Sequence, residues 1–218
     1  MINPNNIIPI DYNSDNIQLI VMDNIQPFNI IEYDLNDDKE LSKYFDRVEK
    51  KCIRNSFEYK KLVGYLRENL NMNKCSFYKN VNNIDTTKIK IHLHHHPFTL
   101  YDIMIIVYNK RLKNGESLYE EDFAKEVMYL HYKMLVSLVP LAETPHELVH
   151  NKYLFVPCDV VIGRYKDFFN MYEEYIPPEM KDCLEAIEDF TKTYNEQKNM
   201  AILEKSYVYI DMSGEYAL

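Results

Sequence analysis

The 218 residues carry a net charge of −9, with 46% hydrophobic and 27% charged side chains, which is ordinary for a globular protein with one core or a core and a small satellite. So acidic a chain lacks the overall basic field of a nucleic-acid binder, although a local basic strip or a divalent cation can offset the balance where a phosphate lands. Cys52, Cys75, Cys158 and Cys183 are scattered with no CxxC pair, which argues against a thiolate zinc site and a disulfide framework and fits free thiols in a reducing cytosol.

Residues 1–35 contain short alternating runs, IIPIDY, IQLIVM and FNIIEY, separated by Asn, Asp and Pro; they predict two or three strands. The opening MINPNNIIPIDYN has neither a basic region nor a long apolar stretch, so no signal peptide is expected. The longest apolar run, near IMIIVY, is far short of the ~20 residues a bilayer requires. A cytoplasmic protein without a membrane partner is therefore expected.

From Asp37 to about Asn73 the apolar residues of LSKYF, VEKKCI and FEYKKLVGYLRENL recur every three or four positions, the spacing of helices. A polar break at 82–87 leads into KIKIHLHHH, an alternating strand with Ile89, Ile91 and Leu93 on one face, ended by Pro97. Thr99 is placed to cap a helix, LYDIMIIVYNKRL, that stops at Asn114-Gly115. Ser117 is expected to cap the next helix, through EEDFAKEVMYLHYKML, with Glu120 completing a capping box. VSLVPL reads as a strand, Thr144 opens a helix carrying HELVH, and KYLFVPCDVVIG reads as another strand. Residues Lys166 to about Lys198 look helical with a break at Pro177-Pro178, and KSYVYIDM closes the chain as a strand.

No repeat is visible, and strands and helices mix without a regular βαβ rhythm, so the expected class is α+β, small sheet elements with several helices. Three regions follow: a β-then-α region (1–80), a His-rich region (81–165) and C-terminal helices with a final strand (166–218), packed as one unit. The acidic outer faces of the last helices suit packing or a homo-oligomer contact better than DNA.

The histidines concentrate the chemistry. His94, His95 and His96 end one strand, and His146 and His150 stand four apart on a helix; His92 flanks the first group and His131 lies on the long helix between. Residues four apart project from one helical face, so His146 and His150 can share one divalent ion. HELVH also matches the HExxH signature of zinc peptidases, which would make Glu147 a general base and would take Glu173 or Glu174 as third ligand. Yet Thr144-Pro145-His146-Glu147 fits N-cap, N1, N2 and N3, so Glu147 is read as the capping-box partner of Thr144.

Strand, turn and helix carrying HxxxH, with tandem His on an upstream strand, resemble the ββα-metal (His-Me finger) motif of HNH nucleases over about residues 89–156. The tandem His correspond to His94-His95, the Asn-Leu-x-Pro-Leu strand to Ser137-Leu138-Val139-Pro140-Leu141, and the helical pair to His146 and His150. The 50 residues between His95 and His146 would form a helical insertion between the two strands. The resemblance implies that His94, His146 and His150 bind one divalent ion (Mg, Mn, Zn or Ni) and that His95 acts as general base in phosphodiester hydrolysis. A register shifted by one, with His95 as ligand and His96 as base, is the alternative. Ser137 stands where the family has Asn, with a shorter side chain. Lys88, Lys90, Lys110, Arg111 and Lys113 would contact phosphates, with DNA favoured over RNA. Two other functions are consistent with the same residues: a non-catalytic interaction or assembly factor with a structural His-metal site, and the HExxH peptidase.

Overall fold

Among the described residues, helix begins at Asp38, and the reason is visible at its first turn. In the computed structural model, which describes residues 33–77 and 89–203, Asp37 caps helix α1 (Asp38–Arg47) by accepting hydrogen bonds from the Lys39 and Glu40 amides at 2.9 and 3.0 Å. The chain continues as a π-helical segment, Val48–Arg54, and Ser56 then caps α2 (Phe57–Asn69), accepting from the Tyr59 amide at 3.0 Å. The strands expected in residues 1–32 and 205–212, the polar break at 82–87 and Lys88 lie outside the described residues.

Strand β1 (Ile91–His95) follows, then helix α3 (Leu100–Asn114). At the start of α3 the Thr99 hydroxyl accepts from the Asp102 amide while the Asp102 carboxylate accepts from the Thr99 amide, the expected boundary with a full capping box. Gly115 ends the helix at φ 64, the left-handed conformation that glycine adopts without a Cβ clash. Helix α4 (Glu120–Tyr132) begins differently from the sequence expectation. Its N-cap is Tyr119, and Ser117 Oγ accepts from the Tyr119 amide and donates to Asp122. The Arg111 guanidinium takes the Ser117 and Asp122 carbonyls, which fixes this turn ahead of the helix and leaves no capping box with Glu120.

Strand β2 (Leu138–Ala142) pairs antiparallel with β1, with Ile91 opposite Ala142, His94 opposite Val139 and His95 opposite Leu138. Its other edge is covered too, since Pro140 O accepts from the Ser76 amide and Leu138 forms a bridge with Ile162. Helix α5 (Glu143–His150) leaves β2 with no intervening loop. The strand expected over 152–163 is instead turns, a short 3-10 segment (Cys158–Val160) and that single bridge. Pro157 has no N–H for a ladder, and the Cys158 amide goes to Thr191 Oγ1 at 3.0 Å, so the segment spends its backbone on α7 rather than on the sheet.

Helices α6 (Tyr165–Tyr172) and α7 (Pro178–Thr193) follow, separated at the expected Pro177-Pro178 step, and a further helical stretch covers 196–203. The class is α+β, mostly helical with a two-stranded antiparallel sheet among the described residues. One main core gathers Tyr44 and Phe45 of α1, Leu62 and Leu66 of α2, Ile103 and Val107 of α3, Phe123 and Val127 of α4, and Phe168 of α6. Thus β1, β2 and α5 sit beside a helical body that holds them in place.

Candidate metal centre

Successive side chains of a strand point to opposite faces, and β1 uses both. His94 reaches α5, where it meets His146 and His150 one helical turn apart. The ring centroids lie 5.3 Å (His94–His146), 5.0 Å (His94–His150) and 4.4 Å (His146–His150) apart. One ring nitrogen from each of the three falls within 4.8 Å of the others, and the Nε2 atoms of His146 and His150 are 3.1 Å apart. A tetrahedral ion with metal–nitrogen bonds of about 2.0–2.1 Å sets its ligands roughly 3.3 Å apart. The helical pair already has that spacing, and His94 needs only a small closure to join it.

The trio lines an open cleft of about 350 Å³, walled also by Arg54, Arg67 and Lys90. Burial, then the neighbouring His146, His150 and His96, push the His94 pKa down to about 3. Burial followed by His92 and His150, with Arg54 and Lys90 adding, brings His146 down to about 4. Both rings are therefore neutral at pH 7, the protonation state that binds metal.

His95, expected as the general base, faces the other way. It is 5% exposed, and its Nε2 lies 2.9 Å from Nε2 of His131 on α4. The His131 Nδ1 sits 2.7 Å from the Val127 carbonyl, which can only accept, so Nδ1 carries the proton and Nε2 accepts from His95. Burial holds His95 well below its usual pKa and brings His131 to about 4. The pair is buried, and although His95 borders the same cleft, its Nε2 is committed to His131. The shifted register fares no better: His96 is half-buried, burial lowers its pKa to about 4, and it is not grouped with the other histidines around a common point.

Two histidines of consequence were not assigned from the sequence. His131 is the partner of His95. His92 stacks on His146 at 4.5 Å and 12°, and its Nε2 is buried with no hydrogen-bond partner. The period-2 rule that grouped Ile91 with Leu93 was the available signal, because it also sets His92 with His94 and His95 with Ile91.

The other expected residues have structural partners. Ser137 is buried and accepts the Tyr165 amide at 3.0 Å, fixing the start of α6 rather than supporting a base. Helix α5 starts at Glu143 with Ala142 as N-cap and no side-chain cap bond, so Thr144 is not the cap and Glu147, which is exposed, is not its capping-box partner. Strand β2 runs straight into the helix, and Pro145 still falls in the first turn, where the missing N–H costs nothing. Lys110 pairs with Glu116 at 2.7 Å and Glu126 at 3.2 Å, and Arg111 with Glu126 at 2.7 Å. Lys113 and Glu174 pair with each other at 2.6 Å, so neither the basic strip nor a downstream glutamate serves the histidines. Glu173 stays in a short 3-10 segment after α6 and is not grouped with them. Lys90 alone of the described expected phosphate contacts lines the cleft.

Fold and cluster together define an α+β protein in which a strand and a helix share a three-histidine cluster. The chain belongs to the family of bacteriophage G278-like virion proteins, whose sequence model matches residues 2–215. No curated protein and no solved structure matches it. The family match covers nearly the whole chain and overturns the HNH nuclease reading drawn from residues 89–156, with its endonuclease activity and DNA-binding role. The His95–His131 pairing gives the physical reason, because the ring nitrogen needed as base is buried against a second histidine. A nucleic-acid partner draws no support from the family or from the paired Lys110 and Arg111. Among the described residues no helix is long and apolar enough to cross a membrane.

Proposed function

We propose that the chain is a non-catalytic structural component of the phage particle, an interaction or assembly factor in which His94, His146 and His150 hold one divalent metal ion. The ion would join β1 to α5 across 52 positions of sequence. The observation that carries this reading is the convergence of three ring nitrogens within 4.8 Å from a strand and a helix. An all-imidazole set favours Zn²⁺ or Ni²⁺ over Mg²⁺ or Mn²⁺, which prefer oxygen ligands. The free cysteines fit synthesis and assembly in the reducing host cytoplasm.

The test is thermal unfolding of the full chain with and without metal. A ligand at a hundredfold excess over its dissociation constant stabilises by about 2.7 kcal/mol, which for a chain of this size raises Tm by roughly 5–11 °C. Stoichiometric Zn²⁺ should raise Tm by that order, a chelator should reverse it, and His94→Ala should abolish it. Failure of one equivalent of Zn²⁺ or Ni²⁺ to bind removes the structural-metal reading.

A further inference from the structure

Resting on the metal site above, we propose that the ion takes a further ligand from outside the chain: a carboxylate side chain of a neighbouring protein in the particle, drawn in by Arg54, Arg67 and Lys90. Three imidazoles leave a tetrahedral ion one position short, and a closed structural site normally has four protein ligands. All three histidines border the same open cleft, so a ligand from another molecule has access to them.

The cleft has the charge to select that ligand. Its described lining includes Arg54, Arg67 and Lys90 and no Asp or Glu, on a chain whose net charge is −9. Arg67 is half-buried and anchored by an Nη2–H that donates to the Ile91 carbonyl at 3.1 Å, while its buried Nε has no hydrogen-bond partner. Lys90 is exposed and makes no ion pair among the described residues. Arg54 pairs through Nε with Glu49 at 2.6 Å at the cleft margin. All three positive groups border the same cleft as the three histidines.

A divalent ion in the trio would make the cleft more positive still. An arginine fork matches a carboxylate with two parallel hydrogen bonds, and desolvated pairs of this kind are the strong ones at protein interfaces. Virion proteins work among other proteins, and a carboxylate is the anion such neighbours supply. The surface charge elsewhere on this chain is predominantly acidic, so the positive cleft is a local exception that charge complementarity would fill.

The experiment uses the full chain loaded with Co²⁺, whose visible bands report its ligands, titrated with acetate at constant ionic strength. Parallel titrations use inorganic phosphate and a short DNA oligonucleotide. Acetate should shift the Co²⁺ bands saturably. Lys90→Gln and Arg67→Gln should each weaken acetate about tenfold, the scale of one charge-assisted hydrogen bond, while Co²⁺ remains bound. Lys90 is exposed, so its variant supplies the answer even if Arg67→Gln fails to fold. Bands that ignore acetate while Co²⁺ stays bound overturn the external ligand and leave the metal site standing. Absence of Co²⁺ binding overturns both. Phosphate or the oligonucleotide shifting the bands at lower concentration than acetate overturns the carboxylate assignment.

Discussion

The His95–His131 pair makes acid stability the sharpest consequence of this fold. His131 is 1% exposed, and burial brings its pKa from 6.5 to about 4. The folded chain therefore keeps the ring neutral down to about pH 4, whereas the unfolded chain protonates it near pH 6.5. Between those values the unfolded state binds more protons, so stability falls as pH drops. The neutral ring's contribution is fully present above about pH 6.5 and lost as pH approaches 4. At 1.36 kcal/mol per pH unit, the depression amounts to roughly 3 kcal/mol from this one ring. A proton on His131 Nε2 would also confront the N–H that His95 directs at it from 2.9 Å. The perturbation is the double substitution His95→Leu/His131→Leu, which removes both polar groups together and leaves neither buried and unpaired. Unfolding free energy would be measured by urea denaturation at several values between pH 7.5 and 4, with chelator present for both proteins. The parent should lose at least roughly 3 kcal/mol more than the double variant over that range, since His95, also depressed by burial, adds its own loss to that of His131. Equal losses would refute the reasoning, because His131 would then be titrating alike in both states.

Other substitutions test the packing that surrounds the site. A Cβ at Gly163, whose φ is +136, would lie 2.5 Å from the Val136 carbonyl oxygen and 2.7 Å from Ser137 Cα, so Gly163→Ala should cost roughly 3 kcal/mol in urea denaturation. Arg111→Met leaves Glu126 with only Lys110 and the Tyr172 hydroxyl at a site where both partners are 11% exposed; a loss of about 3 kcal/mol is expected by the same measurement. Phe168→Ala opens a cavity beneath Phe98 and Tyr172 and should cost about 3–5 kcal/mol, read as a lowered denaturation midpoint. Ser137→Ala removes the acceptor for the Tyr165 amide and should cost about 1–2 kcal/mol in thermal unfolding, with Zn²⁺ binding unchanged.

Where a boundary depends on side chains within one turn, the sequence was legible. Thr99, Asp102 and Gly115 specify both ends of α3 by local hydrogen bonding and a left-handed residue. The pair at 146 and 150 shares a face because a helix turns once in 3.6 residues. Where a distant group competes, local grammar misled. Arg111 reset the start of α4 by taking the Ser117 and Asp122 carbonyls, and Thr191 drew the Cys158 amide away from the expected strand. The Thr144 capping box matched its motif but not its place, since β2 leads directly into α5 and starts it two residues earlier. The nuclease resemblance rested on residue types in order, and types in order do not say which way adjacent side chains turn.

The sequence by itself determined the helical body, the α+β class and the His146–His150 pair from periodicity and spacing within single elements, while His94 was joined to that pair only through the resemblance to the ββα-metal motif. Only the tertiary structure decided what the remaining histidines do. His95 and His131 are 36 positions apart and His92 and His146 are 54, so no local pattern relates them. Strand alternation turns His94 outward to α5 and His95 inward to α4, and the packing of those two helices on opposite sides of β1 gives one ring a metal-ligand neighbourhood and the other a closed hydrogen bond.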